Sequence, residues 1–444
     1  MVVKTMARMR NSILGTCLAL WSSIAVAQEP CLPLTDCVTD ECGGGSVAEL
    51  SCFEEFCSRD TLTGDWLGAR TSLAEKGISF QADLTQFYMG NTTGGIDQEF
   101  RYAGHGDYVT MLDMDKLAGL KGMFVKLRAE HRFGESLAGA TGSWLPPNLL
   151  AGLPVSNSEE LFLTNVLFTQ FLSEEFAVFA GKMDTLDGDT NAFAHGRGKT
   201  QFSNLGFVIN PILLRSVPYS TLAAGFVYLY ESKPLLTFSV LNATDTTTTA
   251  GFDQLFQNGV TLATELDLPT TFFDMPGHQT FGGAWSSREY VSLDQDPRII
   301  LPNVPVNRET GTWGLYWNFD QYLYTYADDP TLGWGLFGRA GIGDESTNPL
   351  SWFLSFGVGG HSPIRSRHAD SFGVGWYYFD TSNDLEATFA PLVGSLQAGQ
   401  GVELYYDIAV TKWCHVTPDM QVLTSPQENL DTSLVVGVRT NLSF

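Results

Sequence analysis

From Ile78 to the C-terminus the chain reads as segments near ten residues long in which apolar and polar side chains alternate, with Gly, Pro, Asn and Asp between them. In "ISFQADLTQFY", Ile78, Phe80, Ala82 and Leu84 take one face and Ser79, Gln81, Asp83 and Thr85 the other. "MFVKLRAEHRF" sets Met123, Val125, Leu127 and Ala129 against Lys126, Arg128, Glu130 and Arg132, and "DTSLVVGVRTNLSF" sets Leu434, Val436, Val438, Leu442 and Phe444 against Val435, Arg439, Asn441 and Ser443. A period of two is a strand with two unlike faces.

The charge on the second face decides what surrounds it. An Arg or Lys at a bilayer midplane costs about 2–4 kcal/mol, and a whole domain has only about 5–15 kcal/mol to lose. Lys126, Arg128, Glu130 and Arg132 must therefore look into water. A soluble β-sandwich or propeller satisfies that for one strand but needs a dry core opposite every apolar face, whereas a closed transmembrane barrel needs only lipid there.

Sixteen such segments begin near Ile78, Asp107, Gly122, Glu160, Glu175, Thr221, Pro234, Asn258, His278, Thr310, Leu332, Leu350, Ser371, Gly401, Trp413 and Thr432. Their connections alternate in length, 133–159 long and 173–174 short, 184–220 long and 232–233 short, 243–257 long against 268–277, 380–400 long against Lys412 alone. One pair breaks the rule, since 343–349 is shorter than 361–370. An even strand number with short turns at one rim and long loops at the other predicts an all-β fold, an antiparallel outer-membrane barrel of 16 strands with both chain ends on the periplasmic side. Among the aromatic residues, Trp313, Tyr316, Trp317, Tyr322, Tyr324, Tyr326, Trp376, Tyr377, Tyr378, Tyr405, Tyr406 and Trp413 are expected to supply several members of the interfacial girdles.

Ahead of the barrel, Lys4, Arg8 and Arg10 precede an apolar run from Ile13 to Val26 that closes on Ala25, Val26 and Ala27, which marks residues 1–27 as a secretory signal peptide. Cleavage after Ala27 removes three of the 25 basic residues and none of the 49 acidic ones, leaving 22 − 49 = −27. Such a chain is no partner for nucleic acid. Residues 28–60 form an acidic extension with Cys31, Cys37, Cys42, Cys52 and Cys57, which in an exported protein are disulfide candidates; Cys414 is the other mature cysteine, and the spacing matches no zinc module. In residues 61–77, Asp65 as cap, Trp66, Ala69, Leu73 and Lys76 at helical intervals, and Gly77 as stop predict a short amphipathic helix at the periplasmic mouth.

Three long stretches in order, "LTGDWLGARTSLAEKGISFQADLTQFYMGNTTGG", "MPGHQTFGGAWSS" and "VELYYDIAVTKWCHVTPDMQVL", resemble the carbohydrate-selective porin family of the OprB type from about Leu62 to Phe444. The resemblance implies an outer-membrane barrel through which small neutral sugars, glucose especially, diffuse passively. The terminal Phe444 likewise resembles the feature by which the barrel-assembly machinery selects its substrates. General or cation-preferring permeation, or a structural surface barrel with a plugged pore, are the alternatives on the same fold.

Neutral sugars are recognised through hydrogen bonds that replace their hydration and aromatic faces laid on their C–H side. An arginine fork beside a carboxylate supplies donors and acceptors while cancelling the field. On the lumen parity these parts are Asp83, Lys126, Arg128, Glu130, Arg132, Arg339, Glu403, Asp407 and Arg439. The third long loop, residues 184–220, is the one that folds inward in many 16-stranded porins, and it adds Asp184, Asp187, Asp189, His195, Arg197, Lys199 and Arg215 beside Phe193 and Phe202. A constriction centred on Arg128 is the expected substrate pathway. Nothing points to an enzyme or a cofactor. Glu403 and Asp407 lie i, i+4 on one strand, and neither a nucleophile elbow, an HExxH pair nor a glycine-rich phosphate loop is present.

Overall fold

The computed structural model describes residues 55–444 apart from Pro297, Ile300, Pro302 and Asp328. The signal peptide and Cys31, Cys37, Cys42 and Cys52 lie outside the described residues. The unit from Phe56 to Phe444 is built on sixteen strands. In order they are β1 Ile78–Thr93, β2 Phe100–Asp113, β3 Met123–Gly134, β4 Phe162–Phe171, β5 Phe176–Asp184, β6 Ser220–Tyr230, β7 Lys233–Asn242 and β8 Val260–Phe272. There follow β9 Met275–Val291, β10 Arg308–Thr325, β11 Gly333–Gly343, β12 Leu350–His361, β13 Ser371–Thr381, β14 Gly399–Thr411, β15 Cys414–Thr424 and β16 Ser433–Ser443. Each pairs antiparallel with its sequence neighbours, and β1 closes on β16 with Leu84 opposite Leu442 and Phe87 opposite Arg439.

Two boundaries differ from the sequence reading for local reasons. The second strand starts at Phe100 rather than near Asp107, because Gly104 and Gly106 in "YAGHG" are strand residues and not a turn. The ring of Phe133 on β3 lies so close over Gly104 that a Cβ there would come within 2.1 Å of it. The connection read as 268–277 is only Phe273 and Asp274, whose φ values of 56° and 61° make a two-residue hairpin turn without glycine.

Parity sorts the side chains as the alternation requires. Leu315, Ile342, Phe356, Val374, Leu404 and Val422 stand exposed on the outer face, an apolar surface far larger than a soluble monomer displays. Thr85, Arg128, Glu130, Arg339, Glu403 and Arg439 point inward and are buried. Of the aromatics expected at the girdles, Trp313, Tyr324 and Trp376 are exposed on the outer face, whereas Tyr377 and Tyr405 are inward and fully buried, because a strand sends adjacent residues to opposite faces.

The core sits inside the barrel. Residues 135–161 and 185–219 fold into the lumen, and Leu145, Leu150, Phe193, Phe202, Phe207 and Ile212 pack against Phe337, Phe353, Tyr377 and Tyr405 of the wall. Phe202 lies 4.7 Å from Phe207, 5.1 Å from Phe337 and 4.9 Å from Tyr405, ring centre to ring centre. Gly375 on β13 makes room, since a Cβ there would be 2.5 Å from the Phe207 ring. Burying each such side chain contributes about 1.5–3 kcal/mol.

At the rim of short turns, residues 56–77 lie across the seam. The Leu62 amide donates to the Ser443 carbonyl at 2.8 Å, and the Phe444 amide to Ala82 at 2.8 Å. Arg70 donates to Thr61 Oγ1 at 2.8 Å, to the Phe80 carbonyl at 2.8 Å and to the Phe444 oxygen at 3.0 Å. The helix here is Ala69–Glu75 and starts later than expected: its N-cap is Gly68 at φ 89°, Trp66 precedes it, and Asp65 reaches in from outside the cap position to accept from the Thr71 amide and hydroxyl, both at 2.8 Å. The Phe56 ring meets Trp413 edge-on at 5.0 Å, Cys57 is half-buried beside it, and Cys414 is a half-buried free thiol.

Candidate functional site

The inward loop 185–219 is held to two walls by side chains of the lumen parity. On the first wall, Arg128 Nε donates to Asp107 at 3.0 Å, its Nη1 to Asp184 at 3.0 Å, and Nη1 also to Asp187. From the loop, Arg197 donates to Asp184 and to Glu130, both at 2.7 Å, and Tyr219 donates to Glu130 at 2.7 Å. Lys199 bridges Asp83 at 2.7 Å and Asp107 at 2.9 Å, and Lys126 reaches Asp187. A bulge between β3 and β4 turns Thr164 inward, where its hydroxyl also donates to Glu130. Burial pushes the Asp187 carboxyl up, but Arg128, Lys126 and Arg197 outweigh it and hold the pKa at about 2.

Farther round the barrel, on β14, Glu403 accepts from the amides of Ser203 at 2.6 Å and Asn204 at 2.9 Å. Arg439 donates to the carbonyls of Gly198 at 2.8 Å and Gln201 at 2.6 Å. Arg339 donates to the carbonyls of Phe207 and Ala194 and to Asp189. These guanidiniums act as struts under the loop backbone.

Three of the expected lining residues lie apart from both anchors. Arg132 donates to Ser156 of the preceding loop at 2.7 Å. Arg215 donates to Thr347 at 2.8 Å and stacks 5.0 Å from Tyr290. Asp407 accepts from His415 and Thr417, both at 2.6 Å.

A cavity of about 140 Å³ lies between the loop and the wall β8 to β11. Ile209, Leu213 and Val217 give it an apolar side; Asp189, Asn210, Glu265, Thr280, Tyr316, Asn318 and Arg339 give it a polar one. The Tyr316 hydroxyl donates to Glu265, and Arg339 lies against Asp189. Of these only Asp189 and Arg339 were expected in the lumen from sequence; Tyr316 was expected among the girdle aromatics and instead faces inward. Glu265 and Tyr316 were legible in principle, because Leu262, Leu266 and Leu268 fix the outward parity of β8 and Trp313 and Leu315 that of β10.

A closed 16-stranded barrel with an apolar outer face and a lumen narrowed by its third long loop defines a porin of the outer membrane. The chain belongs to the carbohydrate-selective porin, OprB family, whose model matches residues 97–444. Porin B of Pseudomonas aeruginosa is 24% identical over 432 residues, covering 86% of this chain and 91% of that one. The high-pH structure of Pseudomonas putida OprB superposes with a TM-score of 0.76 at 21% identity over 87% of this chain and 99% of the other. The low-pH structure of the same protein gives a TM-score of 0.55 at 18% identity, over 87% and 99%. These structural likenesses establish the fold. Family membership makes the protein a sugar porin, a channel rather than an enzyme.

Proposed function

We propose that small neutral sugars, glucose among them, cross passively through the cavity between loop 185–219 and strands β8 to β11, and not past Arg128. The supporting observation is the division of labour among the cations. Arg128, Arg197 and Lys199 direct most of their donors to Asp83, Asp107, Glu130, Asp184 and Asp187, and the two guanidiniums are buried, which turns them away from a passing sugar. The cavity instead offers the Tyr316 ring for a C–H face, the amides of Asn210 and Asn318 as donors and acceptors, and a neutralised Arg339–Asp189 pair. Contacts of this kind are few enough to release the sugar again.

On the same reading residues 1–27 direct export and are removed, lipid covers the outer face, Phe444 serves the barrel-assembly machinery, and no chemistry is performed on the sugar. Reconstituted bilayers test it: ion current should be present and should fall as glucose is titrated, with disaccharides differing from monosaccharides. A channel that conducts without any block by sugar overturns the pathway, and a barrel that does not conduct favours the plugged alternative.

A further inference from the structure

We propose that Glu265 makes this passage favour hexoses bearing a protonated amine and disfavour those bearing a carboxylate. The inference rests on the reading of the β8 to β11 cavity as the sugar path.

Among the described residues Glu265 differs from most lumen acids in lacking a cation, and from Glu403 and Asp419, which also lack one, in lining an open cavity where those two are buried under the loop. Asp83, Asp107, Glu130, Asp184, Asp187 and Asp189 each meet a Lys or Arg, and Asp320 meets His278 at 3.1 Å. Among the described residues Glu265 forms no ion pair; its partner is the neutral hydroxyl of Tyr316. Its charged neighbours are Asp189 and Asp267, both acids. Asp267, next on the same face of β8, is bonded to the hydroxyl of Thr280 at 2.9 Å and turns toward a second pocket that it shares with Lys233 and His278. Arg339 faces the same cavity, but Asp189 and the carbonyls of Phe207 and Ala194 occupy it.

A sugar in this cavity therefore passes a half-buried carboxyl to which no cation is bonded, and an ammonium arriving beside it favours its ionised form. An ammonium at C2 of a hexose donates a charge-assisted hydrogen bond to it while the ring lies on Tyr316. A uronate brings a second negative charge to the same spot. Two unit charges about 4 Å apart in water already differ by about fivefold in occupancy between attraction and no interaction, and the effect fades as salt screens it.

The test compares fluxes of glucosamine, glucose and glucuronate into proteoliposomes at about pH 7.5, where the amine and the Glu265 carboxyl are each ionised in good part. Glucosamine should exceed glucuronate by about tenfold at low salt, and the ratio should shrink in about 1 M salt. Glu265→Gln, which keeps the shape and an oxygen for Tyr316, should remove most of that ratio; Glu265→Ser serves if the glutamine variant does not assemble. A wild-type ratio near one, or an unchanged ratio in the variant that assembles, overturns the role of Glu265 while glucose flux leaves the pathway standing. Absence of glucose flux takes down both.

Discussion

Arg197 Nη2 of the inward loop lies 2.7 Å from Glu130 Oε1 of β3, and Glu130 is fully buried. This pair, with Asp184 at 2.7 Å from the other arm of Arg197, ties the constriction to the wall. Removing one member of such a set leaves the others buried and uncompensated, at about 3–5 kcal/mol. Arg197→Ala should release the loop, giving a larger and noisier single-channel conductance. Wild-type conductance in that variant would show that the apolar contacts alone hold the loop.

Acid should act on the same anchor through Asp187. Its folded pKa of about 2 lies below the ordinary 3.8, so its contribution to docking is complete above that ordinary value and is lost as pH falls through about 2. Pepsin cleavage within 185–219 should stay slow at about pH 4 and rise toward about pH 2, while Asp187→Asn should be cleaved more readily already at about pH 4. Cleavage that is identical in both proteins across the range contradicts this.

Phe202 joins the loop to the apolar wall through two rings, Phe337 and Tyr405, and packs on Phe207 within the loop. Phe202→Ala should cost about 3–5 kcal/mol of loop docking, and Phe202→Leu less, because it refills most of the volume. Amide hydrogen exchange across residues 193–212 reads the difference, and equal protection in the two variants would count against the ring cluster.

Arg70 joins the N-terminal segment to the last residue of the chain. Each charge-assisted bond it makes to Phe80 and Phe444 is worth about 1.5–3 kcal/mol. Arg70→Ala should lower the temperature at which the barrel in detergent changes to its unfolded gel mobility, with little change in conductance, since Arg70 lies outside the lumen. An unaltered transition temperature would leave the seam to the strand ladder alone.

The barrel was readable along the chain because its code is local. Each strand announces its two faces by the alternation of neighbours, as Leu127 and Arg128 do, and the lengths of successive connections announce the two rims. Local signals mislead only where a residue has an uncommon backbone, as at Phe273 and Asp274, or where a glycine such as Gly104 serves a ring from another strand.

Alternation along the chain was enough to set Arg128, Glu130, Arg339 and Arg439 on the inner face and Leu315 and Ile342 on the outer one, because a period of two is a property of consecutive residues. Only the tertiary structure decided what the inward charges do. Asp184 and Asp187 reach Arg128, and Ser203 reaches Glu403, across long separations in the chain. Once the loop is folded in, ion pairing removes most of the lumen charge from the pathway and leaves Glu265 and Tyr316 beside it. Such pairing depends on distances in space, which the order of residues along a strand does not contain.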